Sequence, residues 1–360
     1  MPLKHDVISR SSGCPRIVAA ASGTTEISYS QEEILDIFHI KDRRARSIFL
    51  NGHIARRYLT LPPKNSEGRR IETQGELLRK HRVVGVDLGV RALRATLEQA
   101  NATVSDVRYI CCISSTGLLT PGFSALLCHE MKLPHDCTRL DVVGMGCNAG
   151  LNGLNAVATW AGAHPGELAV MVCIEVCSAA YVFDDTLRSI VVNSLFGDGV
   201  AAVALRAVPN GAGCGAAILK FASCLIPDTL EAMRYDWDEA HGKFSFFIDP
   251  QVPYVVGEYA EQVIDRLLRD TNLRRKDIDH WVVHGGGKKV IDAIMVNLGL
   301  SRHDVRHTLD VLRDYGNLSS GSFLFSYKRL LDEGTVKAGD YGVLMSMGPG
   351  STIETALVQW

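Results

Sequence analysis

Two features that would indicate a membrane or nucleic-acid protein are missing from this sequence. No apolar run approaches the roughly 20 residues that a membrane-spanning helix needs, and LAVMVCI at 168–174 is among the longest. The formal net charge is only -2 over 360 residues, so the chain as a whole has no field that would attract nucleic acid or an anionic membrane. We expect a globular protein with neither of these partners.

The ten cysteines lack the spacings of a metal site or a disulfide framework. No C-x-x-C pair occurs among them, and several lie in apolar runs such as YICCI at 109–113. The first 23 residues contain too short an apolar stretch for a signal peptide. We therefore expect a reduced, cytoplasmic protein without a metal, in which most cysteines belong to the core.

The sequence does contain the alternation of helices and strands that is typical of an α/β protein. Ser30 and Glu33 form a capping box in front of a segment, 30–60, with helical patterning. A second, long helix is predicted over 74–100. VRYICCIS at 107–114 is a short apolar run bounded by polar residues, which predicts a buried strand.

The order of these elements repeats along the chain. Residues 105–117 resemble 276–287, because both contain an acidic residue, apolar and polar residues, and a strand that ends in small residues. Residues 144–175 resemble 314–348, because in each a glycine precedes a polar residue, a helix follows and a buried strand closes the segment. This repetition predicts a duplicated α/β core.

The duplication divides the chain into an N-terminal half, 1–209, and a C-terminal half, 210–360. It places Cys147 and Asn317 at equivalent helix starts and His284 at the end of a strand in the second half. Strand ends and helix starts of α/β sheets are where ligands bind. These three residues are therefore candidates for chemistry.

The stretch GMGCNAG at 144–150 is open to two interpretations. It satisfies the dinucleotide pattern G-x-G-x-x-A, but Glu167, the acidic residue about 20 positions on, follows a turn instead of ending a strand. In the second interpretation Cys147 is a nucleophile at a helix start, where unpaired N–H groups favour the thiolate. A small buried cysteine that fills a tight turn would give the same pattern.

His284 and Asn317 also have structural alternatives. His284 lies where the apolar strand HWVV meets the glycine run 285–287. HGGG occurs as an oxyanion loop in esterases, but the G-x-S-x-G elbow that such an enzyme needs is missing. Asn317 precedes an apolar helix, where a capping asparagine is common.

Together these blocks resemble the type III polyketide synthases, the chalcone-synthase-like branch of the thiolase superfamily. The resemblance rests on VGMGCNAGLN around Cys147, HGGG at His284, YGNLSS at Asn317, and the turns LFGDG at 195–199 and GPGSTIE at 348–354. It implies an α/β fold of the thiolase type, a five-layered αβαβα sandwich built from two duplicated halves. It also implies a homodimer, the usual state of the family.

The resemblance implies a role for each candidate. Cys147 would hold the growing acyl chain, and His284 and Asn317 would donate hydrogen bonds to the thioester carbonyl of malonyl-CoA as it loses carbon dioxide. Backbone N–H groups of Cys147 and Gly348 would hold the tetrahedral oxyanion. No metal, biotin or other cofactor is expected, because carbon dioxide loss drives the condensation.

Other parts of the family pattern are matched less completely. Phe196 and Phe246 match two gatekeeper aromatics between the CoA tunnel and the cavity. Plant members of the family have three basic residues on an early helix that contact the phosphates of CoA. Only one of these positions is basic in this sequence, at Arg44, and Ser47 and Asn51 occupy the other two.

Arg43, Arg46 and Lys289 are candidates to replace the lost CoA contacts, although a solvated helix face would give the same pattern. Gly285 stands where the family has a proline, a change that we do not expect to disturb His284.

Further blocks, among them AMRYDWD at 232–238 and VVNSLFGDG at 191–199, match a bacterial branch of the family that serves antibiotic pathways. This match implies malonyl-CoA as starter and extender, four units in all, cyclised to an aromatic dihydroxy acyl-CoA that partner enzymes process. One alternative is a type III synthase with a different starter. Another is a thiolase-fold condensing enzyme such as a β-ketoacyl-ACP synthase III, which would dock a carrier protein on the basic stretch 43–57.

Overall fold

The structure is a computed structural model that describes residues 13–66, 70–182, 186–208 and 214–360. The chain builds one nine-stranded mixed sheet and two short two-stranded ribbons, with helices on both faces of the large sheet. The strands are β1 (Cys14–Gly23), β2 (Ser28–Ser30), β3 (Arg56–Tyr58), β4 (Val107–Ser114), β5 (Thr138–Val143), β6 (Leu168–Glu175), β7 (Gly199–Val208), β8 (Ala216–Leu225), β9 (Met233–Asp238), β10 (Lys243–Ile248), β11 (His280–Val283), β12 (Tyr341–Gly348) and β13 (Thr352–Gln359). The helices are α1 (Gln31–Ile37), α2 (Arg43–Leu50), α3 (Gln74–Gln99), α4 (Phe123–Met131), α5 (Ala149–Ala163), α6 (Leu187–Leu195), α7 (Val252–Leu268), α8 (Lys288–Leu298), α9 (Arg306–Tyr315) and α10 (Ser322–Glu333).

The local predictions hold where the sequence carries a clear start signal. Ser30 caps α1, and Glu33 completes the capping box that was predicted there. The long helix predicted over 74–100 is α3, and the buried strand predicted over 107–114 is β4.

The prediction of continuous helical structure over 30–60 is wrong. Helix α2 ends at Leu50, because the backbone of its C-cap, Asn51, leaves the helical conformation (φ -104°, ψ 8°) and the Asn51 side chain bonds back to the carbonyl of Ser47. The chain then turns, and Arg56–Tyr58 pairs as β3 with Ser28–Ser30. Helical patterning did not distinguish two short helices and a strand from one long helix.

The two halves of the chain repeat the same sheet topology. In the first half β4 pairs with β6 in parallel, β6 pairs with β7 antiparallel, and β7 pairs with β1 antiparallel. In the second half β11 pairs with β12 in parallel, β12 pairs with β13 antiparallel, and β13 pairs with β8 antiparallel. The helices α3 and α7 precede the first strand of each set, and α5 and α10 precede the second. The predicted duplication is therefore confirmed.

Alternation along the strands divides the core into layers. Cys111 and Ile113 of β4 pack with the central helices α5 and α10, whereas Ile110 and Cys112 pack with the outer helices α3 and α4. The second half-sheet places its inner face on the same central helices and its outer face on α7 and α8. The order of layers is helix, sheet, helix, sheet, helix, which confirms the five-layered αβαβα sandwich.

The half-sheets meet where β1 pairs with β8. The predicted boundary between residues 209 and 210 lies outside the described residues, between the end of β7 at Val208 and the start of β8 at Ala216. None of the helices in the described ranges combines the length and the apolar character that a bilayer crossing needs.

Candidate active site

Cys147 lies where the central helix α5 begins. The chain leaves β5, turns at Gly144 and makes one 3-10 turn, Gly146–Asn148, before the α-helix. Gly144 and Gly146 have φ of 82° and 73°, a conformation that residues with a Cβ rarely adopt. A Cβ on Gly146 would also lie 2.3 Å from Pro349 Cδ. The glycine spacing is therefore explained by the turn that presents the thiol.

The third glycine of the motif brings the two duplicated helix starts together. A Cβ on Gly150 would lie 2.3 Å from the carbonyl oxygen of Ser320 and 2.6 Å from the ring of Phe323. Only a glycine allows α5 to approach the start of α10 so closely. This approach is what places Cys147 and the loop after Asn317 beside each other.

The thiol borders a cavity of about 530 Å³ with mostly apolar walls. Phe196 and Phe246 both line it, and their rings meet edge to face with centroids 5.8 Å apart. Tyr235 packs on Phe246 with a centroid separation of 5.1 Å. The two predicted gatekeepers are thus neighbours in one wall, and their control of entry stays a prediction.

Burial dominates the acid–base chemistry of the thiol. Cys147 is 7% exposed, and desolvation raises the pKa of its thiol to about 12. The charge of Glu175 raises this pKa further, whereas hydrogen bonds with Ser319, at 3.4 Å from Sγ to Oγ, and with Asn317 lower it. The helix start was predicted to favour the thiolate, and a backbone hydrogen bond at Cys147 does lower the pKa of the thiol, but desolvation is the larger effect and the net shift is upward.

A chain of hydroxyl groups connects the thiol to a buried carboxylate. Ser319 Oγ lies 2.6 Å from Ser115 Oγ, which donates to Glu175 Oε1 at 2.9 Å. Glu175 also accepts from the backbone N–H of Ser115 at 3.0 Å and from Ser320 Oγ at 2.5 Å. Burial raises the pKa of the Glu175 carboxyl, and these donors offset part of the effect.

Sequence reasoning missed this chain. The available signal was Glu175 itself, a single acidic residue that closes the apolar run LAVMVCIE. A carboxylate at the end of a fully buried strand needs several donors, and serines are common donors in such sites. The sequence contains no signal that identifies Ser115 and Ser319 as the serines that supply them.

The loop that carries Asn317 fixes the orientation of its amide. Asn317 Oδ1 accepts from the backbone N–H of Ser319 at 2.8 Å and from Ser322 Oγ at 3.3 Å. Because Oδ1 is held by two donors, Nδ2 is the end of the amide that remains for other partners. It lies 3.5 Å from the carbonyl oxygen of Gly286, in the glycine run that follows His284.

His284 follows β11 and is 1% exposed. Its backbone N–H bonds to the carbonyl of Met345 at 2.8 Å, which continues the parallel pairing with β12. Desolvation lowers the pKa of its imidazole to about 3, so the ring is neutral near pH 7. Its buried Nδ1 has no partner among the described residues. A neutral imidazole has one donor and one acceptor nitrogen, which suits it to donate to a thioester carbonyl.

Gly348, at the end of β12, packs directly on the turn that holds Cys147. A Cβ at this position would lie 2.3 Å from Asn148 Oδ1 and 3.0 Å from the backbone nitrogen of Cys147. The two residues predicted to form the oxyanion hole are therefore neighbours, and only glycine permits the contact. Binding of an oxyanion by their N–H groups stays a prediction.

The predicted CoA contacts lie on the outer surface. Arg43 and Arg44 are exposed on α2, and Lys289 is exposed at the start of α8. Arg46 is half-buried and donates to the carbonyl of Ile40 at 3.3 Å, so part of its hydrogen-bonding capacity is used within the protein. The role of these cations toward CoA stays a prediction.

Two family models match the chain, one on each half. Residues 72–216 match the model described as FAE1/Type III polyketide synthase-like protein. Residues 218–360 match the model described as chalcone and stilbene synthases, C-terminal domain.

Relatives of known structure or function resemble nearly the whole chain. A 3,5-dihydroxyphenylacetyl-CoA synthase of Streptomyces toyocaensis is 63% identical over 96% of this chain and 90% of that relative. Another, from Amycolatopsis balhimycina, is 60% identical over 98% of this chain and 95% of that relative. The crystal structure of the 1,3,6,8-tetrahydroxynaphthalene synthase of Streptomyces coelicolor superposes with a TM-score of 0.88, at 26% identity, over 96% of this chain and 99% of that one.

Proposed function

This chain belongs to the chalcone and stilbene synthase family of type III polyketide synthases, and we propose that it condenses four malonyl-CoA molecules into 3,5-dihydroxyphenylacetyl-CoA. As a member of this family it is a decarboxylating, condensing acyltransferase. The observation that carries the proposed product is 60–63% identity to three synthases of that name, over 96–98% of this chain. The same identity favours this function over a carrier-protein-dependent synthase and over a dinucleotide-binding protein.

In the proposed cycle Cys147 holds the acyl chain. Its sulfur attacks the thioester carbonyl of an acyl-CoA, a new carbon–sulfur bond forms, and CoA leaves and takes up a proton. Because burial favours the neutral thiol, the attack also requires that the thiol proton be removed. Ser319 Oγ, 3.4 Å from the sulfur, is within reach to accept this proton as its own proton passes through Ser115 to the Glu175 carboxylate.

His284 and Asn317 act on the malonyl group. Loss of carbon dioxide leaves the bonding electrons on the thioester as an enolate, whose negative charge lies mainly on oxygen. Neutral donors that are already oriented stabilise this charge without reorganising. The neutral imidazole and the fixed amide supply such donors. The enolate carbon then attacks the thioester on Cys147, and the thiolate is released for the next transfer.

The proposed product satisfies the carbon balance. Four malonyl groups each lose one carbon dioxide and retain two carbons, which gives the eight-carbon chain of a tetraketide. Ring closure joins the terminal carbon to the carbonyl at position three, and loss of one water makes the ring aromatic. One CoA remains on the product and three are released. The cavity of about 530 Å³ beside Cys147 is in the size range of small-molecule sites.

The proposal includes neither a metal nor an organic cofactor, because loss of carbon dioxide supplies the driving force. It also includes a homodimer and partner enzymes that consume the CoA ester. The ten cysteines are all free, which fits a reducing cytoplasm.

The decisive experiment gives the purified full chain malonyl-CoA as sole substrate, with EDTA present, and identifies products by mass spectrometry. We expect the mass of 3,5-dihydroxyphenylacetate, free or as its CoA ester, and no product from the Cys147→Ala variant. Product that forms only after addition of an aromatic or fatty acyl-CoA would contradict the proposed starter. Product that requires an acyl carrier protein would contradict the choice of substrate class.

A further inference from the structure

Arg57 is a fully buried cation in the middle of β3. Its side chain is 0% exposed, although arginine is almost never buried without partners. Its neighbour Arg56, on the same three-residue strand, is exposed. Burial lowers the pKa of the Arg57 guanidinium, and arginine nevertheless stays charged in proteins. Burying this charge is costly, so its contacts require an explanation.

Neutral acceptors bind four of the five N–H groups of the guanidinium, and the charge of the buried Asp198 also favours the cation. Nε and Nη2 donate to Gln31 Oε1 at 3.1 and 2.9 Å. Nη1 donates to the hydroxyl of Tyr181 at 2.7 Å and to the backbone carbonyl of Phe196 at 2.7 Å. The Tyr181 hydroxyl in turn donates to the same Phe196 carbonyl. Two donors therefore converge on the backbone of the residue whose ring lines the cavity.

The backbone of Phe196 also pairs with the backbone of Asn317. The N–H of Asn317 donates to the carbonyl of Leu195 at 2.9 Å, and its carbonyl accepts from the N–H of Gly197 at 3.0 Å. These two hydrogen bonds lie on either side of Phe196. Together they form an isolated parallel bridge between Phe196 in the N-terminal half and Asn317 in the C-terminal half. A shift of the Phe196 backbone must move Asn317 as well.

The aliphatic part of Arg57 makes a second contact with this bridge. A Cβ on Gly316 would lie 2.8 Å from Arg57 Cγ and Cδ, and one on Gly197 would lie 3.5 Å from Arg57 Cβ. Gly197 follows Phe196 and Gly316 precedes Asn317, so the two glycines flank the two residues of the bridge. The arginine therefore supports the bridge by packing and by hydrogen bonding.

From these contacts we infer that Arg57 is a positioning residue, which holds the Phe196 wall of the cavity and the Asn317 amide in one fixed arrangement. The inference rests on the proposed function, because it assigns Asn317 to decarboxylation and Phe196 to the cavity. Lysine cannot replace arginine here, since a single ammonium cannot reach Gln31 and Phe196 with the planar fork of a guanidinium. A displacement of about 1 Å at a reacting group lowers rates by up to roughly 100-fold.

The test compares Arg57→Lys and Arg57→Met with the matched controls Arg56→Lys and Arg56→Met. Decarboxylation of malonyl-CoA is measured per active site, with sites counted by stoichiometric iodoacetamide labelling of Cys147. We expect Arg57→Lys to lower kcat per site by roughly 10-fold or more, with KM within about twofold of the wild type, since only positioning has changed. We also expect a larger share of products shorter than the tetraketide. The Arg56 variants should match the wild type.

A merely structural role would give a different result. The variant would then melt at a lower temperature, but each folded site would decarboxylate at the normal rate and release the normal ratio of products. Should Arg57→Met fail to fold, Tyr181→Phe removes one of the two donors on the Phe196 carbonyl and should lower the rate per site in the same direction. An unchanged rate per site or an unchanged product ratio in Arg57→Lys overturns the inference. The wild-type product is established separately, so this failure is distinct from failure of the proposed function.

Discussion

Replacing Ser319 with alanine removes its hydrogen bond with the Cys147 thiol and its contact with Ser115, and leaves the other described donors to Glu175 in place. Ser319 Oγ lies 3.4 Å from Cys147 Sγ and 2.6 Å from Ser115 Oγ. Ser115 keeps its bond to Glu175 at 2.9 Å, so the carboxylate is not left without that donor. The backbone of Ser319 has φ of 48°, which alanine adopts at a similar cost. The substitution therefore isolates the effect of the hydroxyl on the thiol.

The expected magnitude follows from the strength of this bond. A hydrogen bond to a charged group contributes about 1.5–3 kcal/mol, and the long 3.4 Å contact favours the lower end. About 1.4 kcal/mol corresponds to one pH unit. Because this hydrogen bond lowers the pKa of Cys147, its loss moves the pKa upward. The thiolate is the nucleophile, so alkylation below the pKa should slow by about tenfold at any fixed pH.

The assay is the rate of iodoacetamide alkylation of Cys147 between pH 6 and pH 10, followed by mass spectrometry of the proteolytic peptide that contains this residue, because other cysteines such as the exposed Cys214 are free as well. We expect the Ser319→Ala profile to lie about one pH unit above that of the wild type. Ser223→Ala is the control, because its hydroxyl donates to Glu354 on the surface and not to the thiol. Superimposed profiles for Ser319→Ala and the wild type would refute the reasoning.

Brief incubation with labelled malonyl-CoA should load label on the peptide that contains Cys147, and full retention of label by Cys147→Ala would exclude it as the acyl site. Asn317→Ala should lower malonyl-CoA decarboxylation by roughly 10²-fold or more, the scale of a lost oxyanion donor; a normal rate of carbon dioxide release would contradict this role. Gly146→Ala should destabilise the fold by at least about 1 kcal/mol, because φ is 73° and the new methyl would lie 2.3 Å from Pro349 Cδ. Denaturant unfolding measures this loss, with Gly166→Ala as control, since that glycine also has positive φ, 86°, but no atom within 4 Å of its Cβ position.

Much of the fold could be predicted because its signals are local. The capping box at Ser30 and the apolar run 107–114 each specify an element within a few residues. The repeated order of elements then predicted a duplicated α/β core, and the resemblance to the type III polyketide synthases supplied the five-layered arrangement. The segment 30–60 was the exception, because the strand at Arg56–Tyr58 depends on pairing with Ser28–Ser30 rather than on its own pattern.

The sequence by itself selected the three candidate residues of the site, whose chemical roles stay predictions. Cys147, His284 and Asn317 each follow or precede glycines at the end of a strand or the start of a helix, and such positions can be recognised from neighbouring residues. Duplicated topology brings the segments around Cys147 and Asn317 together, because each leads into one of the two central helices. The order of elements alone was enough to place both residues at equivalent helix starts.

The tertiary structure alone decided the environment of those residues. Glu175, Ser115 and Ser319 meet although 60 to 204 positions separate the bonded pairs, and nothing in their local sequence selects these partners. The direction of the Cys147 pKa shift was also beyond the sequence, because burial is set by everything packed around the thiol and outweighs the local helix start. Arg57 shows the same limit: its neighbour Arg56 has the same side chain and is exposed, and only packing makes one of them a buried support of the active site.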